Sequence, residues 1–112
     1  MKFGLYDDTR NIPFDIHLEN LNKPSQLQLL ELRKFVKSLG DDVVEDIRPH
    51  RIVYAKKIVF RSFLDIKPDK NNEIILSLRS DRKNPSKIYK VNNNSNINEI
   101  KNEISNAYKK IN

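Results

Sequence analysis

The chain is expected to fold as a single α+β domain. An N-terminal amphipathic helix leads into an antiparallel meander of three to four strands, and a C-terminal amphipathic helix follows, with both helices on one face of the sheet. Three observations predict this. Apolar residues recur at helical spacing over residues 24–39 and again over 95–110. Between these segments lie short runs rich in β-branched and aromatic residues, each bounded by polar or turn-forming residues. The connections are too short to hold crossover helices, which makes neighbouring strands antiparallel. The 112 residues suffice for one hydrophobic core and not for two. Residues 1–22 read as an N-terminal arm or short strand and residues 23–112 as the domain.

Phe14, Ile16 and Leu18 alternate with Asp15, His17 and Glu19, the pattern of a short strand; an arm packing its aromatics on the core fits as well. In the first helix Pro24 suits the opening turn, with Asn22 or Ser25 as cap. Leu29, Leu32, Phe35, Val36 and Leu39 form its apolar stripe, while Gln28, Glu31, Arg33, Lys34 and Lys37 face outward. Gly40 is placed to end the helix in a left-handed conformation, and Asp41-Asp42 opens a turn. Residues 43–47 form a short strand or an extended lead-in. Residues 51–55, 58–66 and 73–79 read as strands, with Pro68-Asp69-Lys70-Asn71-Asn72 as a strong turn before the last. Residues 80–87 form a basic loop, and Ile88, Tyr89 and Val91 permit one more strand. In the final helix Asn96 and Glu99 resemble a capping box, and Ile97, Ile100, Ile104 and Ile111 share a face.

From Leu30 onward the chain resembles an uncharacterised small domain family, sometimes labelled a predicted transport protein. Its members occur alone or C-terminal to restriction-endonuclease-like domains. The resemblance covers roughly residues 25–111. It is carried by Leu32-Arg33-x-Phe35-Val36-x-Ser38-Leu39-Gly40-Asp41-Asp42-Val43, by Ile52-x-Tyr54, and by Phe63-x-Asp65-Ile66-x-Pro68. Ile74-x-Leu76-x-Leu78 and Ala107-Tyr108 complete it. It implies the same order of elements and a place beside restriction or defence systems; it implies no reaction.

Composition narrows the chemistry. With no cysteine, disulfides, thiolate metal sites and thiol nucleophiles are excluded. Two glycines cannot supply a phosphate-cradling Gly-rich loop, so no nucleotide cofactor is expected. The opening segment MKFGLYDDTRNIPF lacks a signal-peptide core and no apolar run approaches membrane-spanning length, so the expectation is a cytoplasmic protein without a membrane partner. His17 and His50, the two histidines, form a metal pair only if folding joins them. Asp65-Ile66-Lys67 matches the acidic-x-Lys element of restriction-type nucleases, with Asp42 or Asp46 as the earlier acid. In a chain that is 32% charged, a strand-end Asp before a proline turn explains the triplet more simply. Asp41, Asp42, Glu45 and Asp46 lack the spacing of a cation-binding loop and read as turn and cap residues. No catalytic residue, cofactor or metal is assigned.

Charge is the remaining signal. Residues 1–49 hold 7 Lys/Arg against 9 Asp/Glu; the rest of the chain holds 14 against 6, completing the totals of 21 and 15. Composition bias toward Lys, Asn and Ile accounts for part of this. The functional reading is a polyanion-binding surface. Its candidate phosphate contacts are Arg51, Lys56, Lys57, Arg61, Arg79, Arg82 and Lys83, with Tyr54 and Phe63 as candidate stacking aromatics. Strand alternation puts Arg61 and Arg79 on one partly open face with Phe63. The expected function is a non-catalytic nucleic-acid-binding accessory module. The alternative is a protein-interaction or homodimerisation module, whose partner packs on an apolar patch or sheet edge.

Overall fold

The computed structural model describes residues 12–69, 71–80, 86–92 and 95–111. The element order is a 3₁₀ turn at Phe14–His17, helix α1 (Lys23–Lys37), strands β1 (Val43–Ile47) and β2 (Ile52–Lys56), and a second 3₁₀ turn at Lys57–Val59. Strands β3 (Arg61–Pro68), β4 (Ile74–Leu78) and β5 (Lys87–Val91) and helix α2 (Ile97–Lys110) follow. The sheet has five antiparallel strands in chain order, β1-β2-β3-β4-β5. The class and both helices are as expected, and the strand count exceeds expectation by one, because residues 43–47 pair fully with β2 rather than leading into it.

The register sets the two faces. Glu45, Tyr54, Leu64, Leu78 and Lys87 lie in one row across the sheet, and Ile47, Ile52, Ile66, Leu76 and Tyr89 in the next. Both helices pack on this face. Arg33 of α1 reaches Glu45, and Tyr89 donates to Glu103 of α2. Leu29, Leu32 and Val36 of α1 and Ile100, Ile104 and Ala107 of α2 are buried there, the spacing that gives each helix its apolar stripe. On the opposite face run Asp46, Val53, Asp65, Ser77 and Ile88, then Lys67, Ile75 and Lys90. No helix covers that face among the described residues.

Local chemistry explains the boundaries. Asn22 caps α1 by accepting from the Ser25 amide at 3.0 Å, and Pro24 lies in the first turn, where its missing N–H costs no helical bond. Asn96 caps α2 by accepting from the amides of Asn98 and Glu99. The turn after β3 places Asn72 in the left-handed region (φ 62°), and its carbonyl and side chain bind the start of α1 through Ser25 and Asn22.

Three expectations are corrected. Phe14, Ile16 and Leu18 do not form a strand: residues 14–17 are a 3₁₀ turn that buries Phe14 and His17. The segment 58–66 is not one strand, because residues 57–59 coil before β3 begins at Arg61. Gly40 has no positive φ. It is required because a Cβ there would collide with the Tyr108 hydroxyl and lie 2.8 Å from the Asp42 carboxylate.

Candidate functional site

Strand order gathers cations that are dispersed in sequence. β2 ends at Lys56 and β3 begins at Arg61, which are register partners. β4 ends at Leu78, opposite the first residue of β5, Lys87. Arg79 follows directly and donates its amide to the Phe63 carbonyl at 3.0 Å. These residues share one end of the sheet. Helix α2 finishes at the same end with Lys109 and Lys110, since the Lys56 ammonium reaches the Tyr108 carbonyl at 3.1 Å. Against them stand Asp41 and Asp42 in the connection from α1 to β1.

The candidate residues divide by how the fold uses them. Lys57 and Arg79 are exposed, and Lys57 is fixed through its backbone, whose N–H donates to the Asp42 carbonyl at 2.7 Å. Lys56 is half-buried and employed internally: its ammonium caps the α2 terminus and lies 4.6 Å from the centre of the Tyr108 ring. Arg61 is half-buried. Arg51 lies at the opposite end of the sheet and pairs with Asp65 at 3.3 Å. Arg82 and Lys83 lie outside the described residues.

Two of the sequence expectations fail here for one reason. The β2–β3 register slips between Tyr54 and Ala55, so Tyr54 faces Leu64 while Ala55 faces Ser62, and Phe63 is the extra residue of a β-bulge. The bulge turns Phe63 onto the helix side, where its ring meets that of Tyr108 edge-to-face at 5.4 Å. It also moves Arg61 to the face shared with Lys56, away from Arg79. Tyr54 and Phe63 are both 0% exposed, so neither ring is available to stack on a base.

The aromatic that does reach solvent lies in the segment whose pattern reads as a strand. Between Lys57 and Arg61, Ile58 is 74% and Phe60 60% exposed. Phe60 closes the 3₁₀ turn in the left-handed region (φ 53°, ψ 42°), its amide bonded to the Lys57 carbonyl at 3.1 Å. The β-branched run Ile58-Val59 and the following Phe60 imitate a strand, and only the flanking lysines signal a break.

Polar networks hold this end in place. The Tyr108 hydroxyl donates to Asp42 over Gly40. That bond, with burial, pushes the phenol up to about 12. Deeper in, Glu45 accepts two hydrogen bonds from Arg33 (2.8 and 2.9 Å) and one from Tyr54 (2.7 Å). Burial pushes the Glu45 carboxyl up, but the Arg33 and Tyr54 hydrogen bonds outweigh it and hold the group below its ordinary value. Burial raises the Tyr54 phenol strongly, reinforced by the Glu45 charge. These groups are consumed by one another and read as structure, a buried carboxylate satisfied by its donors.

On the helix-free face, Asp65 is half-buried, and burial raises its carboxyl despite the nearby charges of Arg51, Arg48 and Arg79. Its neighbours are arginines, and the Asp46 carboxylate, two strands away in the same row, is paired with Arg48 at 2.8 Å. His17 lies close enough to His50 to feel its charge, but its Nε2 donates to the Arg48 carbonyl at 2.8 Å. Among the described residues no group of three or more His, Asp or Glu is arranged to hold a metal ion. No helix among them is long and apolar enough to cross a membrane.

Comparison of the chain with protein-family models, curated proteins and solved structures finds no match in any of the three.

Proposed function

We propose that the chain is a non-catalytic nucleic-acid-binding module that holds phosphates at the cationic end of its sheet. One observation carries the reading: Lys57, Arg61, Arg79 and Lys87, at or next to the ends of four different strands, share one end of the sheet with Lys109 and Lys110 of α2. Side chains so placed act as point charges and forks along a phosphate backbone. They supply affinity and position without reading base edges. The C-termini of the helices oppose an anion, since their carbonyls carry partial negative charge. Lys56 offsets this by occupying the Tyr108 carbonyl, which leaves the exposed cations for a ligand. On the family resemblance read from residues 25–111, such a module would serve as an accessory in a restriction or defence system.

Fluorescence anisotropy of labelled single- and double-stranded oligonucleotides tests the reading. Binding is expected at low salt, weakening steeply as salt rises. The triple variant Lys57→Ala/Arg79→Ala/Lys87→Ala, all at exposed positions, should lower affinity by at least tenfold without changing the circular dichroism spectrum. Absence of binding at micromolar protein and low salt would remove the reading.

A second reading, self-association or protein docking, is favoured by the exposure of Leu27 and Leu30 on α1 and of Ile88 on the edge strand β5. Sedimentation velocity separates the two: a concentration-dependent dimer abolished by Leu27→Glu/Leu30→Glu favours self-association.

A further inference from the structure

The two edges of the sheet are finished differently. An edge strand offers a row of unpaired N–H and C=O groups, and proteins blunt it with inward-pointing charges, proline, bulges, lysines or cover. Edge strand β1 is blunted by an inward-pointing charge: Glu45 is held by Arg33 and Tyr54, and all five residues of the strand are half-buried. β5 has neither an inward carboxylate nor cover. Its register with β4 is regular over all five residues, it holds no proline, and among the described residues nothing pairs with its outer side. Tyr89 turns inward, its hydroxyl donating to Glu103 at 3.0 Å. Ile88 and Lys90 share the helix-free face, Ile88 60% exposed and Lys90 exposed. Lys87, on the other face, is exposed as well. Neither lysine meets a carboxylate among the described residues.

We propose that β5 is a docking strand for an extended acidic segment of another protein, which adds to the five-stranded sheet along this edge. Backbone hydrogen bonds to the open edge supply the affinity, and side chains choose the partner. Lys87 and Lys90 are three residues apart and so point to opposite faces. The matching strand carries acidic residues at the same spacing, with an apolar residue between them to meet Ile88. Opposite charges and apolar pairs facing each other across strands are favourable, and like charges are not. The lysines are the one blunting device β5 has, and they act by charge. A second β5 brings further cations to the seam and is repelled, whereas an acidic strand is drawn in. The chain's own acidic strand does not fit, since Glu45 and Asp46 of β1 are taken by Arg33 and Arg48. Apart from Lys87, none of these groups belongs to the phosphate surface, so the proposal does not depend on the nucleic-acid reading.

The test titrates the full chain with a labelled peptide that carries glutamates at this spacing, with valine and threonine between and around them. Anisotropy reads binding, and amide exchange by NMR reads where the peptide lies. Binding is expected, with slowed exchange at alternate amides of β5, those that point away from β4. Charge attraction alone does not produce that pattern. The same peptide with proline at its centre should not bind, because proline cannot donate to the ladder; this comparison needs no variant chain. Lys90→Glu should weaken binding on the order of tenfold, and a peptide with lysine in place of the matching glutamate should restore it. Equal binding by the proline peptide, or by Lys90→Glu, overturns the proposal, and so does a failure of the peptide to bind. Protection of the β5 amides that grows with chain concentration in the absence of peptide overturns it in favour of a second copy. Protection by an oligonucleotide and not by the peptide overturns it in favour of nucleic acid. Peptide protection in a chain that binds no oligonucleotide upholds this proposal and removes the phosphate reading alone.

Discussion

Gly40 is where one missing methyl lets two distant segments meet. The Tyr108 ring passes over its Cα to donate to Asp42, and a Cβ would occupy the space of the hydroxyl. Because the obstacle is the end of a rigid ring, little relaxation is available. Gly40→Ala should cost about 1–3 kcal/mol, the usual range for overpacking, measured by urea denaturation. In a Tyr108→Phe background the same substitution should cost markedly less, since the colliding oxygen is gone; a double-mutant cycle gives the difference. The sequence marked Gly40 correctly as special and for the wrong reason. A glycine after a helix suggests a left-handed cap, whereas the close approach that requires it comes from a residue 66 positions beyond Asp42. Tyr54 and Phe63 mislead in the same way. An aromatic among cations looks exposed in one dimension, and the burial of both follows from a register that no local pattern announces.

At the scale of elements, periodicity carried most of the information. Both helices, the Asn96 cap of α2 and the turn between β3 and β4 follow from spacing and turn chemistry that act within a few residues. The β-bulge did not, because alternation read straight through Phe63 gives a regular strand and reverses the faces beyond it. The 3₁₀ turn at Phe14–His17 was also missed: four alternating residues suit a strand until His17 is seen to be drawn inward by the Arg48 carbonyl in the β1–β2 connection. The burial that goes with that contact makes the docking of this turn sensitive to pH. Burial lowers the folded-state pKa of His17, the His50 charge lowers it further, and the bond to Arg48 opposes them. Below about pH 6.5 the unfolded chain takes up a proton that the folded one resists. Stability is therefore fully present above that value and falls as the pH drops toward the folded pKa. Thermal melts between pH 7.5 and 5.5 should show this decline, and His17→Gln, which keeps a donor for Arg48, should flatten it. Glu45 is held down and Asp65 pushed up, so the two carboxyls contribute with opposite signs, and the difference between the parent chain and His17→Gln reads the histidine alone.

For the whole molecule, the cationic end emerges only when strands are placed side by side. The excess of charge after residue 49 was legible, but its geography depended on strand order: in a meander, alternate connections share an end. Lys57, Arg79 and Lys87 thus converge while Arg51 is sent to the other end. The salt dependence expected of binding belongs to this scale. Each phosphate neutralised on a single strand contributes roughly 0.7 to the slope of log affinity against log salt. The triple variant of Lys57, Arg79 and Lys87 should therefore flatten that slope by about 2. The helices add a further consequence. Glu31 meets Lys101 at 2.6 Å and Asp42 meets Tyr108, so α1 and α2 run side by side in the same direction. Every strand pairing is local in the chain, whereas these helix contacts span 70 and 66 residues. A chain so arranged assembles its ladder cheaply and closes its ring last, because the loop entropy of the closure is repaid only when both ends are in place. The tyrosine–aspartate contact is then a clasp fastened after the folding barrier. Stopped-flow measurements on Tyr108→Phe should find refolding at its original rate and unfolding accelerated: the residue governs how long the native state lasts, not how fast it is reached.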